Sequence, residues 1–191
     1  MCNLISLTKN CGTYVPAGLS TTLYLIPYDE ITTWPSTRKE VVEAASGTPE
    51  YGDEKIFDEA FTLVSTTGLG YFRQIPILVN SSDLRDTLEG DIGGQKYVQR
   101  LDFQVQGSNS ERLAFADCLL QSSGCLVPMI AGKDGLMHVL AKKDYPAHLE
   151  AAEGGPGGDL NAFTYTIYND MGLTHMLYDA NEHGITITPN A

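Results

Sequence analysis

An alternation of apolar and polar residues between positions 97 and 106 constrains the fold of this chain more than any other feature. From Leu101 onward, every second position carries a large apolar side chain: Leu101, Phe103 and Val105. The positions between them carry acids or amides: Asp102, Gln104 and Gln106. Because successive side chains of a strand point to opposite faces of a sheet, this pattern predicts a strand with one packed and one polar face. We expect the polar face to meet water or a wet channel.

A capped helix is predicted directly after this strand. Gly107 ends the strand, and the segment Ser108-Asn109-Ser110-Glu111 has the form of a capping box, in which Ser108 and Glu111 satisfy each other's backbone amides. An apolar stripe follows, and Gly124 supplies the left-handed residue that ends many helices. The pattern predicts a helix over about residues 109 to 122.

Short runs of β-branched, aromatic and other apolar residues predict strands on both sides of this helix. These runs are Ser20–Pro27, Ala60–Ser65, Tyr71–Val79, a hairpin of Cys125–Ala131 with Leu136–Ala141, Ala147–Ala152 and Ala162–Tyr168. The strand that contains Pro76 is predicted to lie at a sheet edge or to contain a bulge, because proline has no amide hydrogen to donate. A short helix over 37–45 capped by Ser36 and an extended loop fit the segment after Trp34 equally well.

Changes in composition divide the chain into one domain and two arms. Residues 1–18 are predicted to form an N-terminal arm, residues 19–170 a single β-rich domain, and residues 171–191 a C-terminal arm. The C-terminal arm contains two short strand-like runs without a core of their own, so we expect their backbone groups to pair with a neighbour.

A long loop is predicted near residues 80–95. Its residues are polar and acidic, and Gly90, Gly93 and Gly94 favour a flexible backbone. A loop of this length in a compact domain usually has a function. A hairpin arm that becomes ordered against a neighbouring subunit is the alternative.

The charge balance argues against a protein that wraps duplex DNA. The chain has 24 acidic and 12 basic residues, a net charge of −12, whereas phosphate binding requires clustered Lys and Arg. No apolar run approaches the roughly 20 residues that span a bilayer, so we expect no membrane partner. The four cysteines form no C-x-x-C motif, and we expect free thiols and assembly in a reducing cytoplasm.

Motifs of catalysis and cofactor binding are not found in the sequence. It has no G-x-S-x-G, Walker A or H-E-x-x-H pattern, and the glycine-rich loop at 154–159 lacks the G-K-[ST] of a phosphate cradle. His138 and His148 could approach each other on adjacent strands, but no third metal ligand is identifiable. We therefore predict no catalytic residue, no cofactor and no metal.

From Tyr97 to Tyr168 the order of elements resembles that of the tail tube proteins (major tail proteins) of tailed bacteriophages. The resemblance rests on the strand Tyr97–Phe103, the helix after it, the hairpin Val127–Leu140, the segment Lys143–Ala147 and the glycine-rich loop that leads to Gly158–Ala162. It covers the C-terminal half of the chain.

This resemblance implies a mainly β fold of the α+β class, an antiparallel β-sandwich or split barrel flanked by one α-helix, with an extended loop and terminal arms. It implies a non-enzymatic virion protein that assembles in the host cytoplasm into stacked, hexameric rings of the phage tail. The implied partners are other copies of the chain and other phage tail and neck proteins, while genome DNA passes through without specific binding.

We expect an acidic and amide-rich surface to face the lumen or a ring junction, because such groups do not hold phosphates. This surface is the polar face of the 96–106 strand together with the acidic 83–91 segment: Asp83, Asp86, Glu89, Asp91, Asp102, Gln104 and Gln106.

Three alternatives remain open at the level of sequence. A neck, tail-completion or baseplate-hub protein of the same fold would have a similar sequence. A monomeric carbohydrate-binding β-sandwich would need an exposed aromatic platform, for which Trp34 is the candidate. An enzyme would use the region of His138 and His148.

Overall fold

The computed structural model describes residues 20–78, 82–107, 109–121, 125–132, 135–155 and 161–189. Strands dominate, and the helices are few, so the prediction of a mainly β fold of the α+β class is confirmed. The strands are β1 Thr22–Pro27, β2 Ile31–Thr33, β3 Ile56–Phe57, β4 Thr62–Leu63, β5 Arg73–Pro76, β6 Asp83–Glu89, β7 Lys96–Gln106, β8 Leu126–Ala131, β9 Met137–Val139, β10 His148–Gly155, β11 Ala162–Gly172 and β12 Met176–Tyr178. The α-helices are α1 Arg38–Ala44, α2 Ser110–Gln121 and α3 Ala180–His183.

Two large sheets contain most of these strands. The first has six strands in the order β3-β12-β9-β8-β1-β5, and the second has four in the order β10-β11-β7-β6. All neighbours are antiparallel except β12 and β3, which run parallel. β2 and β4 form a separate two-stranded sheet. Pro76 lies at the end of the edge strand β5, as its missing amide hydrogen requires.

The first hydrophobic core contains residues of both large sheets and of α2. From β7 it takes the predicted apolar face, Leu101, Phe103 and Val105, all buried. Tyr165 of β11 stacks on Phe103 with ring centroids 5.2 Å apart, and Phe115 of α2 meets Tyr165 edge-on at 5.8 Å. Such aromatic pairs each contribute about 0.5–1.5 kcal/mol beyond burial of their area.

A second core covers the opposite side of the six-stranded sheet. It contains an aromatic cluster in which Phe61 contacts Trp34, Phe57, Phe72 and Tyr178 at centroid distances of 5.2–5.8 Å. The central strands of this sheet therefore bury both of their faces. In β8, five consecutive residues from Leu126 to Ile130 are buried, with Leu126 and Ile130 in the first core and Val127 and Met129 in the second.

A buried ion pair joins the segment after β1 to β5. The Arg73 guanidinium donates to both carboxylate oxygens of Glu30, at 2.6 and 2.7 Å, and also to the carbonyl of Tyr71 at 2.8 Å. The amide of Gly70 donates to Glu30 Oε2 at 2.7 Å. A buried pair remains tolerable only when its remaining hydrogen-bonding capacity is satisfied in this way.

Both longer helices have side-chain caps at their beginnings. The predicted helix at 109–122 is confirmed as α2, and Asn109 Oδ1 accepts a hydrogen bond from the Arg112 amide at 3.1 Å. The predicted cap Ser108 lies outside the described residues. α1 is also present, but its capping box is formed by Thr37 and Glu40 instead of Ser36. With α3 as well, the expectation of one flanking helix is wrong.

Two segments predicted to be a loop and an arm belong to the sheets. Residues 83–89 of the predicted 80–95 loop form β6, which pairs with β7 from Asp83↔Asp102 to Glu89↔Lys96, and residues 90–95 make the turn. β12 of the predicted C-terminal arm lies between β3 and β9, and its Met176 and Tyr178 are buried. Its backbone thus pairs within its own subunit. The predicted N-terminal arm, residues 1–18, lies outside the described residues.

The cysteines differ from the expectation of free, packed thiols. Cys118 is buried on α2 and disulfide-bonded, whereas Cys125 is free and exposed. Across the described part of the chain, no helix has the length and apolarity needed to cross a bilayer.

Candidate functional site

The polar side of the four-stranded sheet carries most of the predicted site residues. We call it the outer face, because its side chains point away from the first core. The register aligns Asp83 with Asp102 and Asp102 with Thr166, and it aligns Gln104 with Thr164. Strand alternation alone then assigns the carboxylates, amides and hydroxyls of neighbouring strands to one surface.

A row of hydrogen bonds runs across the middle of the outer face. The Thr166 hydroxyl donates to Asp102 Oδ1 at 2.6 Å, and the Arg85 guanidinium donates to Asp102 Oδ2. Gln104 Nε2 donates to the Thr164 hydroxyl at 3.0 Å. Gln104 Oε1 is buried and finds no hydrogen-bond partner among the described residues. These bonds fix the side chains in a row that runs across three strands.

Arg100 holds together one end of the outer face. Its guanidinium bonds to Glu89 at 2.7 Å and to Glu150 at 3.1 Å, and it lies 5.6 Å from the ring centroid of Tyr168. The hydrogen bonds that Arg100 donates to Glu89 and, second, to Glu150 raise the pKa of Arg100. Glu150 reaches Arg100 from a β-bulge in β10, where the register with β11 shifts.

Lys96 and Asp170 form a further ion pair at the same end. Their hydrogen bond raises the pKa of Lys96 and lowers the pKa of Asp170. Both groups therefore remain charged over a wide range of pH. Asp170 belongs to the second irregularity of the sheet, where the β7–β11 register shifts between Asn169 and Gly172.

The outer face carries more acidic than basic side chains, and its Arg and Lys side chains form ion pairs with acids. Three basic residues, Arg85, Lys96 and Arg100, each bond to an acid on the same face. Six acidic residues belong to this surface or to its bulges: Asp83, Glu89, Asp102, Glu150, Glu153 and Asp170. A surface with twice as many acids as bases, and with every base paired, has no cluster of free cations to hold phosphate.

Asp86 points to the opposite side of β6 and belongs to a different cluster. His175 Nδ1 lies 2.8 Å from Asp86 Oδ2, and His175 Nε2 lies 2.7 Å from His138 Nδ1. This chain of hydrogen bonds connects the edge strand of the four-stranded sheet to β9 of the six-stranded sheet. The expected approach of His138 to His148 is wrong, because β9 and β10 belong to different sheets.

The hairpin of β6 and β7 ends in exposed apolar residues. Leu88 and Tyr97 face each other across the two strands, and their exposed fractions are 49% and 39%. Ile92 in the turn is 99% exposed. We call these three residues the apolar tip. Gly90 shapes the turn, since it has φ +104° and an added Cβ would lie 2.8 Å from the carbonyl oxygen of Gly94.

The predicted site residues therefore fall into three places. The outer face has five of them: Asp83, Glu89, Asp102, Gln104 and Gln106. Asp86 lies on the inner side with His175, and Asp91 lies in the hairpin turn. Sequence reasoning missed the partners Arg85, Arg100 and Thr166. The alternation in the predicted 162–168 strand was the signal for Thr166, but register cannot be read from a single strand.

Trp34 does not provide an exposed aromatic platform. Its ring packs against Tyr28, Phe57 and Phe61 at centroid distances of 5.5–6.2 Å. It also lines a cavity of about 250 Å³ with Lys142 and Lys143. Trp34 is therefore partly buried by neighbouring rings, which weakens the carbohydrate-binding alternative.

Comparison of the chain with protein-family models, with curated proteins and with solved structures gives no match.

Proposed function

We propose that this chain is a structural virion protein that forms stacked, hexameric rings in the tail tube of a long-tailed bacteriophage. The observation that carries the proposal is the outer face, an acidic sheet surface on which each cation is paired with an acid. The family resemblance of the 97–168 region supports the same assignment. The two large sheets that share the first core are, in this proposal, the halves of an antiparallel β-sandwich.

The charge of the outer face suits a wall past which DNA slides. Phosphates bind where Lys and Arg are free to replace counterions. On the outer face the guanidinium groups of Arg85 and Arg100 already bond to carboxylates, and the surplus charge is negative. Duplex DNA would therefore be repelled weakly and evenly, which permits movement without specific binding.

The apolar tip supplies a contact between rings. Leu88, Ile92 and Tyr97 are exposed at the end of a hairpin, where contact with a neighbouring subunit would bury them. Each fully buried side chain of this size contributes about 1.5–3 kcal/mol. Interfaces of this kind concentrate their energy in a few apolar or aromatic residues. In the proposal, the tip of one ring inserts into the next.

Assembly of the purified chain tests this proposal. We would record negative-stain images and particle mass over a concentration series for the wild type, for Ile92→Asp and for Tyr51→Asp. Tyr51 is a matched control, because it is also fully exposed in a turn. We expect six-fold rings or hollow tubes for the wild type and the control, with a higher threshold concentration for Ile92→Asp.

A chain that stays monomeric at every concentration would contradict the tail tube assignment. Rings that never stack, in the wild type as in Ile92→Asp, would favour the neck, tail-completion or hub protein of the same fold.

A further inference from the structure

A cluster of metal-ligand residues lies on the far side of the molecule from the outer face. Asp58 follows β3, and Glu182 and His183 end α3. Each offers one ligand atom within 4.8 Å of the others, and His183 Nε2 lies 3.9 Å from Glu182 Oε2. The sequence predicted no metal because more than 120 positions separate Asp58 from the other two residues.

His183 carries an orphaned polar atom that points to a ligand. Its Nε2 is buried and has no hydrogen-bond partner among the described residues. Leaving such an atom without a partner costs about 1–3 kcal/mol. A cation bound to the Nε2 lone pair removes this cost, provided that the imidazole is neutral and carries its hydrogen on Nδ1.

Hydrogen bonds at both ends of α3 hold Glu182 and His183 in place. Asp179 Oδ1 caps α3 by accepting from the amides of Asn181 and Glu182 at 2.9 and 3.3 Å. The Tyr178 hydroxyl donates to the Gly184 carbonyl at 2.6 Å and fixes the end of the same helix. Glu182 and His183 thus lie between two anchored positions.

The Arg38 guanidinium and the Ser36 carbonyl hold Asp58 in position. Its amide donates to the Ser36 carbonyl at 2.9 Å, and Arg38 Nε donates to its Oδ1 at 3.0 Å. Carboxylates that bind metal ions are commonly hydrogen-bonded to a second residue, and this second residue fixes the direction of the carboxylate. Arg38 neutralises one of the two carboxylates, so the cluster keeps a net negative charge that favours a divalent cation.

We propose that Asp58, Glu182 and His183 bind one zinc-class divalent transition-metal ion. One imidazole nitrogen with two carboxylate oxygens is a donor set that Zn²⁺ accepts, whereas Mg²⁺ and Ca²⁺ prefer oxygen alone. Three protein ligands leave a fourth position for water. The ion fastens α3 to the segment after β3, and therefore closes the C-terminal region onto the second core. This site is independent of the proposed assembly.

Zinc titration of the full chain, freed of any affinity tag and stripped with EDTA, tests the site. We would measure ZnCl₂ and MgCl₂ binding by calorimetry for the wild type, Glu182→Gln, His183→Ala and the control His148→Ala. His148 is exposed and lies outside the cluster. We expect one Zn²⁺ per chain, no saturable Mg²⁺ binding, and affinity lowered by at least about 10-fold in both cluster variants.

Spectroscopy of Co²⁺ in place of Zn²⁺ keeps the proposal testable if His183→Ala fails to fold. Glu182 is mostly exposed, so Glu182→Gln is expected to fold. In the wild type we expect the intense visible absorption of four- or five-coordinate Co²⁺, and a weaker band in Glu182→Gln. The proposal is overturned if Co²⁺ gives only the pale spectrum of the hydrated ion, or if Zn²⁺ affinity is unchanged in both cluster variants.

Discussion

The two large sheets differ in what covers them. β8 of the six-stranded sheet buries five consecutive residues, because the first core packs on one face and the aromatic cluster around Phe61 packs on the other. From Gln99 to Val105, β7 of the four-stranded sheet alternates between buried and partly exposed residues, because its inner face meets the first core and its outer face does not. The six-stranded sheet is thus the scaffold, and the four-stranded sheet presents one polar face to solvent.

An ion pair between an arginine and an acidic residue occurs both in the buried scaffold and on the outer face, and its exposure to solvent differs between the two places. Glu30 and Arg73 form an ion pair with almost no solvent contact beside the second core, whereas Arg85 and Asp102 form one on the outer face, where the Arg85 side chain is 52% exposed. Water screens the second pair and not the first. Substitutions in the two pairs therefore test whether the scaffold and the surface differ in their contribution to stability.

The largest effect is expected from Glu30→Gln. The change removes the negative charge of Glu30 from its ion pair with the buried Arg73 guanidinium, and breaking such a pair costs about 3–5 kcal/mol of unfolding free energy. Urea denaturation followed by tryptophan fluorescence measures it, with Glu89→Gln on the outer face as the control. A loss below about 1 kcal/mol for Glu30→Gln would mean that this pair is solvated like those of the surface.

His175→Ala tests the link between the sheets. The substitution removes hydrogen bonds to His138 and to Asp86, and one of these partners is a carboxylate. We expect a loss of about 2 kcal/mol, since hydrogen bonds to charged groups contribute more than neutral ones. The exposed His148→Ala is the matched control, and equal stabilities of the two variants would show that the link contributes nothing.

The two buried tyrosines, one in each core, should respond with opposite signs. The Tyr165 hydroxyl has no hydrogen-bond partner among the described residues, so Tyr165→Phe is expected to raise the unfolding free energy by about 1 kcal/mol. The Tyr178 hydroxyl donates to Gly184, so Tyr178→Phe is expected to lower it by about 1 kcal/mol. Chemical denaturation at neutral pH gives both values, and a destabilised Tyr165→Phe would indicate an unseen partner.

The two buried tyrosines should make the unfolding free energy depend on pH in the alkaline range. Burial raises the pKa of Tyr165 and of Tyr178 to about 12, against about 10 in an unfolded chain. The unfolded chain therefore releases these protons first, and the unfolding free energy falls as pH rises from about 10 to about 12. Stability measured across this range should fall less steeply in Tyr165→Phe than in the wild type, and an identical slope would contradict the assignment.

The smallest effect is expected from Arg85→Ala on the outer face. Exposed ion pairs contribute about 0.2–1 kcal/mol and are screened by salt. The stability difference from the wild type should shrink further in 1 M NaCl. A salt-independent loss above about 1 kcal/mol would show that the outer face is a structural element and not a free surface.

The sequence predicted what depends on local periodicity. The alternation at Leu101, Phe103 and Val105 gave the correct buried face of β7, and the pattern after Gly107 gave α2. The acids of the outer face followed from the same alternation. These features depend on a period of 2 or 3.6 residues, which a short segment contains in full.

Pairing between segments that are distant in the chain could not be predicted from the sequence. β6 was predicted as a loop because its acids and the glycines after it are typical of loops, yet β7 provides its hydrogen-bonding partner. β12 appeared to lack a core because its partners β3 and β9 are distant in the chain. The same limit concealed the Glu30–Arg73 pair and the cluster of Asp58 with His183, since spatial neighbours far apart in sequence leave no local pattern.

A cryo-EM reconstruction of the assembled particles would show which way the outer face points. We expect stacked six-fold rings in which Asp102 and Gln104 face the central channel or a ring junction, and in which Ile92 is buried against the adjacent ring. Rings with the outer face on the exterior of the particle and Ile92 exposed to solvent would contradict this expectation.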